Sequence, residues 1–391
     1  MKIAIAGGGP SGLYLALLVK KRRPDFDVTV YEQNRAEDTF GFGVVLADTG
    51  LQHLEQADQP THDALRAAMV FSSQQTISLD AQRMDIKRPG AGGGAITRIQ
   101  LLRILQQHAQ DAGVRLSFQC RMGASKGILA DELAASDLVV GADGINSAIR
   151  AQQAEAFGTT QYSLTNRFAW FGTKRLFPNP ALVFRTFEGG HFIAHYYRYS
   201  DTMSTFVAEC DEATWFSGGM DKMTDVERQA LFERIYAPEL EGEKLISSNS
   251  VWRQFPVIRN EKWSVGKTVL IGDALSSAHF SIGSGTRIAM EDAVALAQAI
   301  VDHPGDVPGI TAAYEAKRRP GKTRLIEASE HSFNWYEGIA EKMACGNIHE
   351  FVYDFMTRTG RIDGERLKAQ FPELVAALAT RRPELVSGSA T

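Results

Sequence analysis

A glycine-rich turn near the amino terminus has the residue types and the spacing that bind a pyrophosphate. Residues 7–12 read GGGPSG, a GxGxxG pattern that follows a short apolar strand and opens a predicted helix. Such glycines let the backbone approach phosphates closely, and the helix presents free N–H groups and partial positive charge. Glu32, twenty residues after Gly12, ends a second predicted strand, where it can accept hydrogen bonds from a ribose diol. The pattern predicts an adenine dinucleotide site but does not separate FAD from NAD.

A second cluster, late in the chain, distinguishes these cofactors. Residues 270–274 read LIGDA, and residues 283–286 read GSGT at the start of a predicted helix over 286–301. A carboxylate at Asp273 can bind a ribityl hydroxyl, which FAD has and NAD lacks. The positive end of the helix would stabilise negative charge on a reduced flavin. Alone, Asp273 could simply cap a turn; together with the first motif, the cluster favours FAD.

A third motif carries a family resemblance. Residues 137–144 read DLVVGADG and are followed by Ile145, Asn146, Ser147 and Arg150. This segment resembles the Asp-Gly motif of the class A flavoprotein aromatic hydroxylases, and the three motifs occur in that family's order over nearly the whole chain. The resemblance implies that Asp143 and its neighbours contact FAD and a transient NAD(P)H. It also implies that Arg98 contacts the diphosphate side of FAD, although a surface salt bridge would explain this arginine nearly as well.

Four further segments resemble a narrower group, the salicylyl-CoA 5-hydroxylases and anthraniloyl-CoA monooxygenases. They read GFGVV at 41–45, HYYRY at 195–199 with STFVAEC at 204–210, HFSIGSG at 279–285, and FMTRTGRI at 355–362. The violacein-pathway tryptophan hydroxylase shares the first three, so the fourth favours the acyl-CoA group. Most class A hydroxylases carry a His after the Gly-Asp-Ala and a Pro before the glycine turn, where this chain has Ser276 and Phe280. The motifs and the resemblance together predict as cofactor-binding residues Gly7, Gly9, Pro10, Ser11, Gly12, Glu32, Gln33, Gly43, Val44, Arg98, Asp143, Asp273, Gly283, Ser284, Gly285 and Thr286.

The resemblance implies NAD(P)H- and O2-dependent hydroxylation of an activated aromatic ring through a flavin C4a-hydroperoxide, with FAD as the cofactor. The protein's part is to position the ring and exclude water. A base that takes the proton of a ring hydroxyl or amino group would raise the nucleophilicity of the ring. The substrate implied by the narrower resemblance is a salicylyl- or anthraniloyl-type CoA thioester.

Three residues are candidates for catalysis. His279 lies in the segment expected to face the flavin ring, although it could equally be a packed polar residue. His195 and Tyr197 alternate with Tyr199 on one face of a predicted strand, which either lines the pocket or only packs the sheet. The basic residues at 317–324 could meet CoA phosphates, but a solvated helix face explains them better.

The predicted elements that position these residues give an α/β fold. A Rossmann-like FAD-binding domain over 1–160 and 255–325 would be interrupted by an antiparallel-sheet substrate domain over 161–254, possibly with 70–95. The strand-rich stretch at 167–209 is dominated by aromatic and β-branched residues. Residues 326–391 are expected to form a helical C-terminal segment.

Composition limits the remaining classes of function. Of 391 residues, 42 are basic and 46 acidic, which argues against a general nucleic-acid binder. The three cysteines, at 120, 210 and 345, have no zinc-ligand spacing and fit a reducing, cytoplasmic setting. No stretch approaches the ~18 apolar residues of a membrane span. We therefore expect a soluble monomer or homodimer without metal, nucleic-acid or membrane partners.

Other functions stay open at this point. A hydroxylase of a free aromatic acid, indole or tryptophan-like substrate would carry the same motifs. A flavin halogenase is disfavoured because the chain has no WxWxIP segment. A non-catalytic flavin-binding regulator would need a partner-binding extension, and only a helical tail is predicted.

Overall fold

The computed structural model describes residues 1–38, 41–87, 93–120 and 128–379. The strands within these ranges are β1 (Lys2–Ala6), β2 (Asp27–Tyr31), β3 (Gly43–Leu46), β4 (Val70–Phe71), β5 (Gln74–Leu79), β6 (Gln82–Lys87), β7 (Gly94–Thr97), β8 (Arg115–Ser117), β9 (Leu138–Gly141), β10 (Thr159–Ser163), β11 (Arg167–Thr173), β12 (Ala181–Phe187), β13 (Gly190–Arg198), β14 (Ser204–Cys210), β15 (Leu245–Ile246), β16 (Pro256–Asn260), β17 (Ser264–Val265) and β18 (Thr268–Leu270). Residues 88–92 and 380–391, which belong to predicted segments, lie outside the described residues.

The helices also lie within the described residues. They are α1 (Pro10–Arg22), α2 (Asp48–Ala57), α3 (Gln59–Ala67), α4 (Arg98–Asp111), α5 (Ile128–Ala134), α6 (Ala148–Gln152), α7 (Ala154–Phe157), α8 (Glu212–Ser217), α9 (Asp225–Ile235), α10 (Ala237–Leu240), α11 (Gly285–Asp302), α12 (Val307–Glu337), α13 (Ile339–Met343), α14 (Ile348–Thr357), α15 (Gly364–Gln370) and α16 (Pro372–Ala379). Two 3₁₀ turns, Gly272–Ala274 and Phe280–Ile282, lie between β18 and α11. No helix in the described part of the chain is long and apolar enough to cross a membrane.

The amino-terminal motif sits on a sheet of six strands in the order β17-β18-β9-β1-β2-β8. β1 runs parallel to both β2 and β9, and β18 runs parallel to β9. Strands covered on both faces need continuous apolar residues, which β1 supplies at residues 3–6. This strand order brings the carboxyl end of β1, and with it the glycine turn, to the crevice where such sheets bind ligands. The predicted Rossmann-like α/β unit is confirmed.

A second sheet of seven strands has the order β15-β11-β14-β13-β12-β5-β6. β11, β14, β13 and β12 pair antiparallel, and β5 joins β12 in parallel. The predicted antiparallel sheet is therefore confirmed, while the domain boundaries drawn from the sequence remain a prediction. Along β13, Phe192, Ala194 and Tyr196 pack with Phe232 of α9 in one core, whereas Ile193 faces another.

The C-terminal helices cover that other face of the second sheet. Phe184 of β12 lies 5.8 Å from the ring centroid of Trp335 in α12 and 4.7 Å from that of Phe351 in α14. Phe355, at the end of α14, completes the cluster at 6.3 Å from Phe184. Aromatic burial of this kind is a large apolar contribution to stability, and it confirms the predicted helical C-terminal segment over its described part.

A buried group of charges joins α11 and α12 to the turn after β18. Asp292 of α11, with no exposed surface, accepts hydrogen bonds from the Gly272 N–H at 2.9 Å and from Arg318 Nε at 2.7 Å. Its second oxygen also pairs with the ammonium of Lys322, and Glu291 pairs with Arg318 at 2.9 Å. The interpretation of the basic residues at 317–324 as a solvated face is wrong for Arg318 and Lys322, because both are committed to these carboxylates.

We expect Lys322→Met to lower the free energy of unfolding by about 3 kcal/mol, because removing one partner of a buried pair leaves the other charge poorly compensated. Lys342→Met is the matched control: its ion pair with Asp354 is about one-third exposed on the lysine side and should contribute less than about 1 kcal/mol. Urea denaturation of the flavin-free protein measures both changes. Equal losses in the two variants would contradict a stabilising role for the buried group.

Candidate active site

The glycine turn borders a cavity of about 550 Å³ at the carboxyl ends of β1, β2 and β9. The predicted residues that line it are Gly7, Gly9, Glu32, Gln33, Arg98 and Asp143. We call this space the motif cavity. Pro10, Ser11 and Gly12 form the first turn of α1 beneath it, where Ser11 and Gly12 are buried.

The three motif glycines have different surroundings. A Cβ on Gly12 would lie 2.1 Å from the carbonyl oxygen of Gly7, and a Cβ on Gly7, whose φ is +108°, would lie 2.3 Å from that of Ala142. These two glycines are therefore required by the packing of the chain itself. A Cβ on Gly9 would meet no atom within 4 Å. Open space over Gly9, at the amino terminus of α1, fits the close approach of a pyrophosphate.

The two carboxylates of the motif cavity also serve the backbone. Glu32 accepts from the Gly8 N–H at 2.8 Å and from the N–H of Asn34 at 2.8 Å, which places its oxygens at the rim of the cavity. Asp143 accepts from the N–H of Ala148 at 2.7 Å and from the hydroxyl of Ser147 at 2.5 Å, and so caps α6. Each carboxylate is thereby fixed in direction.

Arg98 begins α4 and points into the motif cavity without an ion pair in the described part of the chain. The predicted alternative, a surface salt bridge, is thus not seen there. Removal from water lowers the pKa of Arg98, whereas the negative charges of Asp273 and Glu32 oppose that effect from a distance. A cation in a cleft beside the open face of Gly9 fits the diphosphate of a dinucleotide.

A second cavity, of about 500 Å³, lies between the two sheets. One end is lined by Asp273 and residues 283–286, and the other by the predicted residues His195, Tyr197 and Val44. We call it the aromatic cavity because Trp170 and Phe280 also line it. The structure thus brings the second glycine cluster and two of the three catalytic candidates to one space.

The glycine-cluster end has features that suit an anionic, hydroxyl-bearing ligand. α11 starts at Gly285, and its preceding residue, Ser284, makes no side-chain cap, so the first N–H groups of this long helix remain free. Asp273 is exposed to the cavity, and desolvation by the surrounding protein raises its pKa to about 6 against the opposing effects of Lys322 and Arg98. Ser11 lies under this turn, 3.1 Å from where a Cβ on Gly272 would be.

His195 and Tyr197 project from β13 into the aromatic cavity. The hydroxyl of Tyr197 donates to the carbonyl oxygen of Gly43 at 2.8 Å, and burial raises the pKa of Tyr197 to about 12. Gly43 has no room for a side chain, since a Cβ would lie 2.7 Å from the ring of Tyr199. These contacts fix β3, including Val44, against the second sheet.

His279 lies beside the aromatic cavity but behind its wall. It is 3% exposed, its Nδ1 accepts from the Ser281 N–H at 3.2 Å, and its ring lies 4.7 Å from that of Phe255. Burial lowers the pKa of His279 to about 3, and the neighbouring His195 and Arg358 act in the same direction. The ring is therefore neutral near pH 7, and its neighbours Ala278 and Phe280 form the cavity wall.

Two residues of the site were not predicted. Glu209 of β14 lies behind His195, with 3.2 Å between Oε2 and Nε2. Arg358 lines the aromatic cavity and donates to the carbonyl oxygens of Ser281 and Phe355 at 2.8 and 2.6 Å, without a carboxylate within 4 Å in the described ranges. The available signals were a lone carboxylate in the apolar strand STFVAEC and an arginine in the segment FMTRTGRI. No group of three or more potential metal ligands occurs among the described residues.

Comparisons with known proteins agree with this geometry. A family model described as an FAD binding domain matches residues 1–329. A salicyloyl-CoA 5-hydroxylase from Streptomyces sp is 36% identical over 92% of this chain and 70% of its own length. A 3-hydroxy-4-methyl-anthranilyl-[aryl-carrier protein] 5-monooxygenase from Streptosporangium sibiricum is 31% identical over 95% and 97%. The protodeoxyviolaceinate monooxygenase of Chromobacterium violaceum is 32% identical over 92% and 94%.

Solved structures with the same fold include a 2-methyl-3-hydroxypyridine-5-carboxylic acid oxygenase. Its TM-score is 0.69 at 18% identity, over 91% of this chain and 97% of that one. PqsL of P. aeruginosa, in complex with 2-aminobenzoylacetate, gives a TM-score of 0.68 at 21% identity, over 86% and 96%. At these identities the likeness concerns the fold alone.

We expect Gly9→Ala to weaken FAD binding tenfold or more, a change of about 1.4 kcal/mol, while the flavin-free protein keeps its melting temperature. The added methyl group has free space in the chain itself and would occupy the approach of the pyrophosphate. Gly12→Ala should instead lower both flavin content and stability, because its Cβ collides with the backbone. Flavin absorbance after dialysis and thermal melts measure the two effects. Full flavin content in Gly9→Ala would contradict the assignment of this turn.

We expect Asp273→Asn to flatten the pH dependence of stability in the flavin-free protein between about pH 4 and 6. The folded-state pKa of about 6 lies above the ordinary 3.8, so the folded protein binds the proton more tightly than the unfolded chain. The contribution of Asp273 to stability is therefore greatest below pH 4 and falls as the pH rises through 6. Urea midpoints of the wild type and the variant, compared from pH 4 to 7, test this. Parallel curves would show that Asp273 titrates alike in both states.

Proposed function

This chain belongs to the FAD-binding domain family and is an FAD-dependent aromatic monooxygenase, and from that premise we propose that its substrate is a salicylyl- or anthraniloyl-type thioester of coenzyme A. Two relatives are named for aromatic acyl groups attached to a carrier, coenzyme A in one and an aryl-carrier protein in the other. The observation that carries the proposal is the aromatic cavity, where aromatic side chains meet an arginine that has no carboxylate partner in the described ranges.

FAD binding is proposed to span both cavities. The ADP part would be held by the turn at 7–12 together with Glu32, Gln33 and Arg98, and Asp143 would border it. The flavin end would lie against Asp273 and residues 283–286, with Gly43 and Val44 on the opposite wall. FAD held there would supply the redox chemistry: with electrons from NAD(P)H it would activate O2, which provides the transferred oxygen atom. The free N–H groups at the start of α11 would stabilise negative charge at that end.

The three catalytic candidates would have different roles around the aromatic ring of the substrate. His195, which lines the aromatic cavity, is proposed to meet the ring hydroxyl or amino group. Tyr197 stays protonated near neutral pH because of its raised pKa, and its hydroxyl is already committed to Gly43. His279 would remain neutral and support Phe280, whose ring centroid is 4.1 Å from its own. In this proposal His279 acts by packing, which is one of the two roles that the sequence left open.

Arg358 would recognise an oxygen of the substrate. A guanidinium carries five N–H donors, and three of its hydrogen bonds go to the neutral acceptors Ser281, Phe355 and Ser332. Burial lowers the pKa of Arg358, yet an arginine remains charged in proteins. Its uncommitted donors would therefore bind a thioester carbonyl or a ring oxygenate by charge-assisted hydrogen bonds.

The second candidate substrate is a free indole-like or tryptophan-like compound, or a free aromatic acid. It is favoured by the relative named for protodeoxyviolaceinate, a name that mentions no carrier. All three relatives are named as enzymes, so nothing supports the non-catalytic regulator considered from the sequence. A cytoplasmic location and a monomeric or dimeric state remain part of the proposal.

We expect NAD(P)H oxidation by the purified flavoprotein to rise at least tenfold with salicylyl-CoA or anthraniloyl-CoA and much less with free salicylate. The thioester would offer both the aromatic ring and a carbonyl to Arg358. Mass spectrometry should find a product heavier by one oxygen atom. Free tryptophan is included as the indole arm of the same assay.

Each outcome of this assay decides between substrates. Equal stimulation by salicylate and its thioester would overturn the thioester proposal. Stimulation by tryptophan alone would favour the indole candidate. Stimulation without a hydroxylated product would mean that reduction and oxygen transfer are uncoupled with the compound tested, and so that it is not the substrate.

A further inference from the structure

Glu209 is a buried carboxylate next to the aromatic cavity, and it has few hydrogen-bond partners. Glu209 is 1% exposed in β14, a strand whose seven residues are all buried. Burying a carboxylate costs several kcal/mol unless it is hydrogen-bonded or paired. No lysine or arginine forms an ion pair with Glu209 in the described part of the chain; the group at ion-pair distance there is the ring of His195. Such a costly placement calls for a role beyond packing.

Glu209 is held by one hydrogen bond on each oxygen. Oε1 accepts from Asn166 Nδ2 at 3.1 Å, and Oε2 lies 3.2 Å from Nε2 of His195. Asn166 is itself fixed, because its Nδ2 also donates to the carbonyl oxygen of Tyr336 at 3.0 Å and its N–H donates to Glu337 at 3.1 Å. The end of α12 thereby sets the position of the carboxylate.

The ring of His195 is also fixed. It stacks on the ring of Tyr336 with centroids 5.5 Å apart and planes at 23°, and it meets Phe280 edge-on at 5.7 Å. Nε2 faces Glu209, while Nδ1 has no hydrogen-bond partner among the described residues, although His195 lines the aromatic cavity. An ionised carboxylate can only accept, so Nε2 of a neutral His195 must carry the proton. That leaves a lone pair on Nδ1.

We propose that Glu209 and Asn166 are positioning residues that hold His195 as the base for the aromatic substrate, an inference that rests on the proposed function. The proton of the ring hydroxyl, or of a ring amino group, moves to Nδ1, and its electron pair stays on the ring substituent. The ring becomes more electron-rich at the carbon to be attacked. Glu209 accepts from Nε2–H throughout and stabilises the positive imidazolium. After the attack, the hydrogen of the hydroxylated carbon leaves as a proton to solvent, the ring substituent takes its proton back from Nδ1, and His195 is neutral again.

The tautomer of His195 can be measured without turnover. In the oxidised holoenzyme labelled with ¹⁵N-histidine, the His195 signals, assigned by their loss in His195→Asn, should show a protonated Nε2 and an unprotonated Nδ1. In Glu209→Gln, the side-chain amide can donate to Nε2, so the proton should move to Nδ1 in a large share of molecules. A protonated Nδ1 in the wild type, or an unchanged tautomer in Glu209→Gln, would overturn the proposal.

Proton transfer can be observed on the bound ligand. Salicylyl-CoA added to the oxidised holoenzyme should develop the longer-wavelength absorbance of an ionised ring hydroxyl, and this band should be lost in His195→Asn and Glu209→Gln. Turnover should fall about a hundredfold in each, the typical contribution of a positioned base, and no further in the double variant. A lower melting temperature with the band intact would mean that Glu209 is structural only, which overturns the proposal.

His191→Asn is the matched control. His191 lies on the same strand and forms a similar pair with Asp211, 3.3 Å apart, but it does not line the aromatic cavity. It should leave the band and the turnover unchanged. If Glu209→Gln does not fold, the tautomer of His195 in the wild type carries the test, because a protonated Nδ1 there would still overturn the proposal. Failure of the thioester proposal would appear differently, as wild-type enzyme without stimulated turnover but with the His195 tautomer as stated.

Discussion

The carboxylate of Asp292 is the contact on which the position of the glycine-cluster end of the aromatic cavity depends. It has no exposed surface, and it binds the N–H of Gly272, the guanidinium of Arg318 and the ammonium of Lys322. An unpaired charge at this depth would cost several kcal/mol. Because Asp292 of α11 is paired with groups of α12 and of the turn after β18, these three elements must pack together. The positions of Asp273 and of the start of α11 therefore depend on Asp292, a residue that lines neither cavity.

Charged side chains of both signs line the two cavities. Arg98 and Arg358 each lack an ion pair in the described part of the chain, and the uncapped start of α11 adds partial positive charge. Three of the nearby carboxylates are held by hydrogen bonds: Glu32 and Asp143 accept from backbone N–H groups, and Glu209 accepts from Asn166. The carboxylate of Asp273 lines the aromatic cavity. Phosphates, a reduced flavin and an ionised ring are all anionic. Guanidinium groups and a helix start that are already fixed in place would stabilise each of them without reorganisation.

How much the sequence predicts depends on how local the determining geometry is. The turn at 7–12 and the start of α11 were predictable, because glycine spacing and helix ends are properties of short segments. The relation of Glu209 to His195 was not, since it depends on a register in which Glu209 lies opposite Ile193. Nor was the burial of Arg318 and Lys322, because their carboxylate partners lie on another helix. His279 was predicted to face the flavin ring, but side-chain direction in a 3₁₀ turn is set by tertiary packing, and its role remains a prediction.

The wall of the aromatic cavity that carries Arg358, Phe355 and Ile362 comes from beyond residue 329, where the match to the family model ends. The residues that line the motif cavity and this wall therefore lie in consecutive parts of the chain. Substitutions in the last helices can alter this wall without changing any residue that lines the motif cavity. During synthesis, the ribosome releases residues 1–329 before it releases the helices that carry this wall of the aromatic cavity. The wall that carries Arg358 is therefore the last part of the aromatic cavity that the nascent chain can complete.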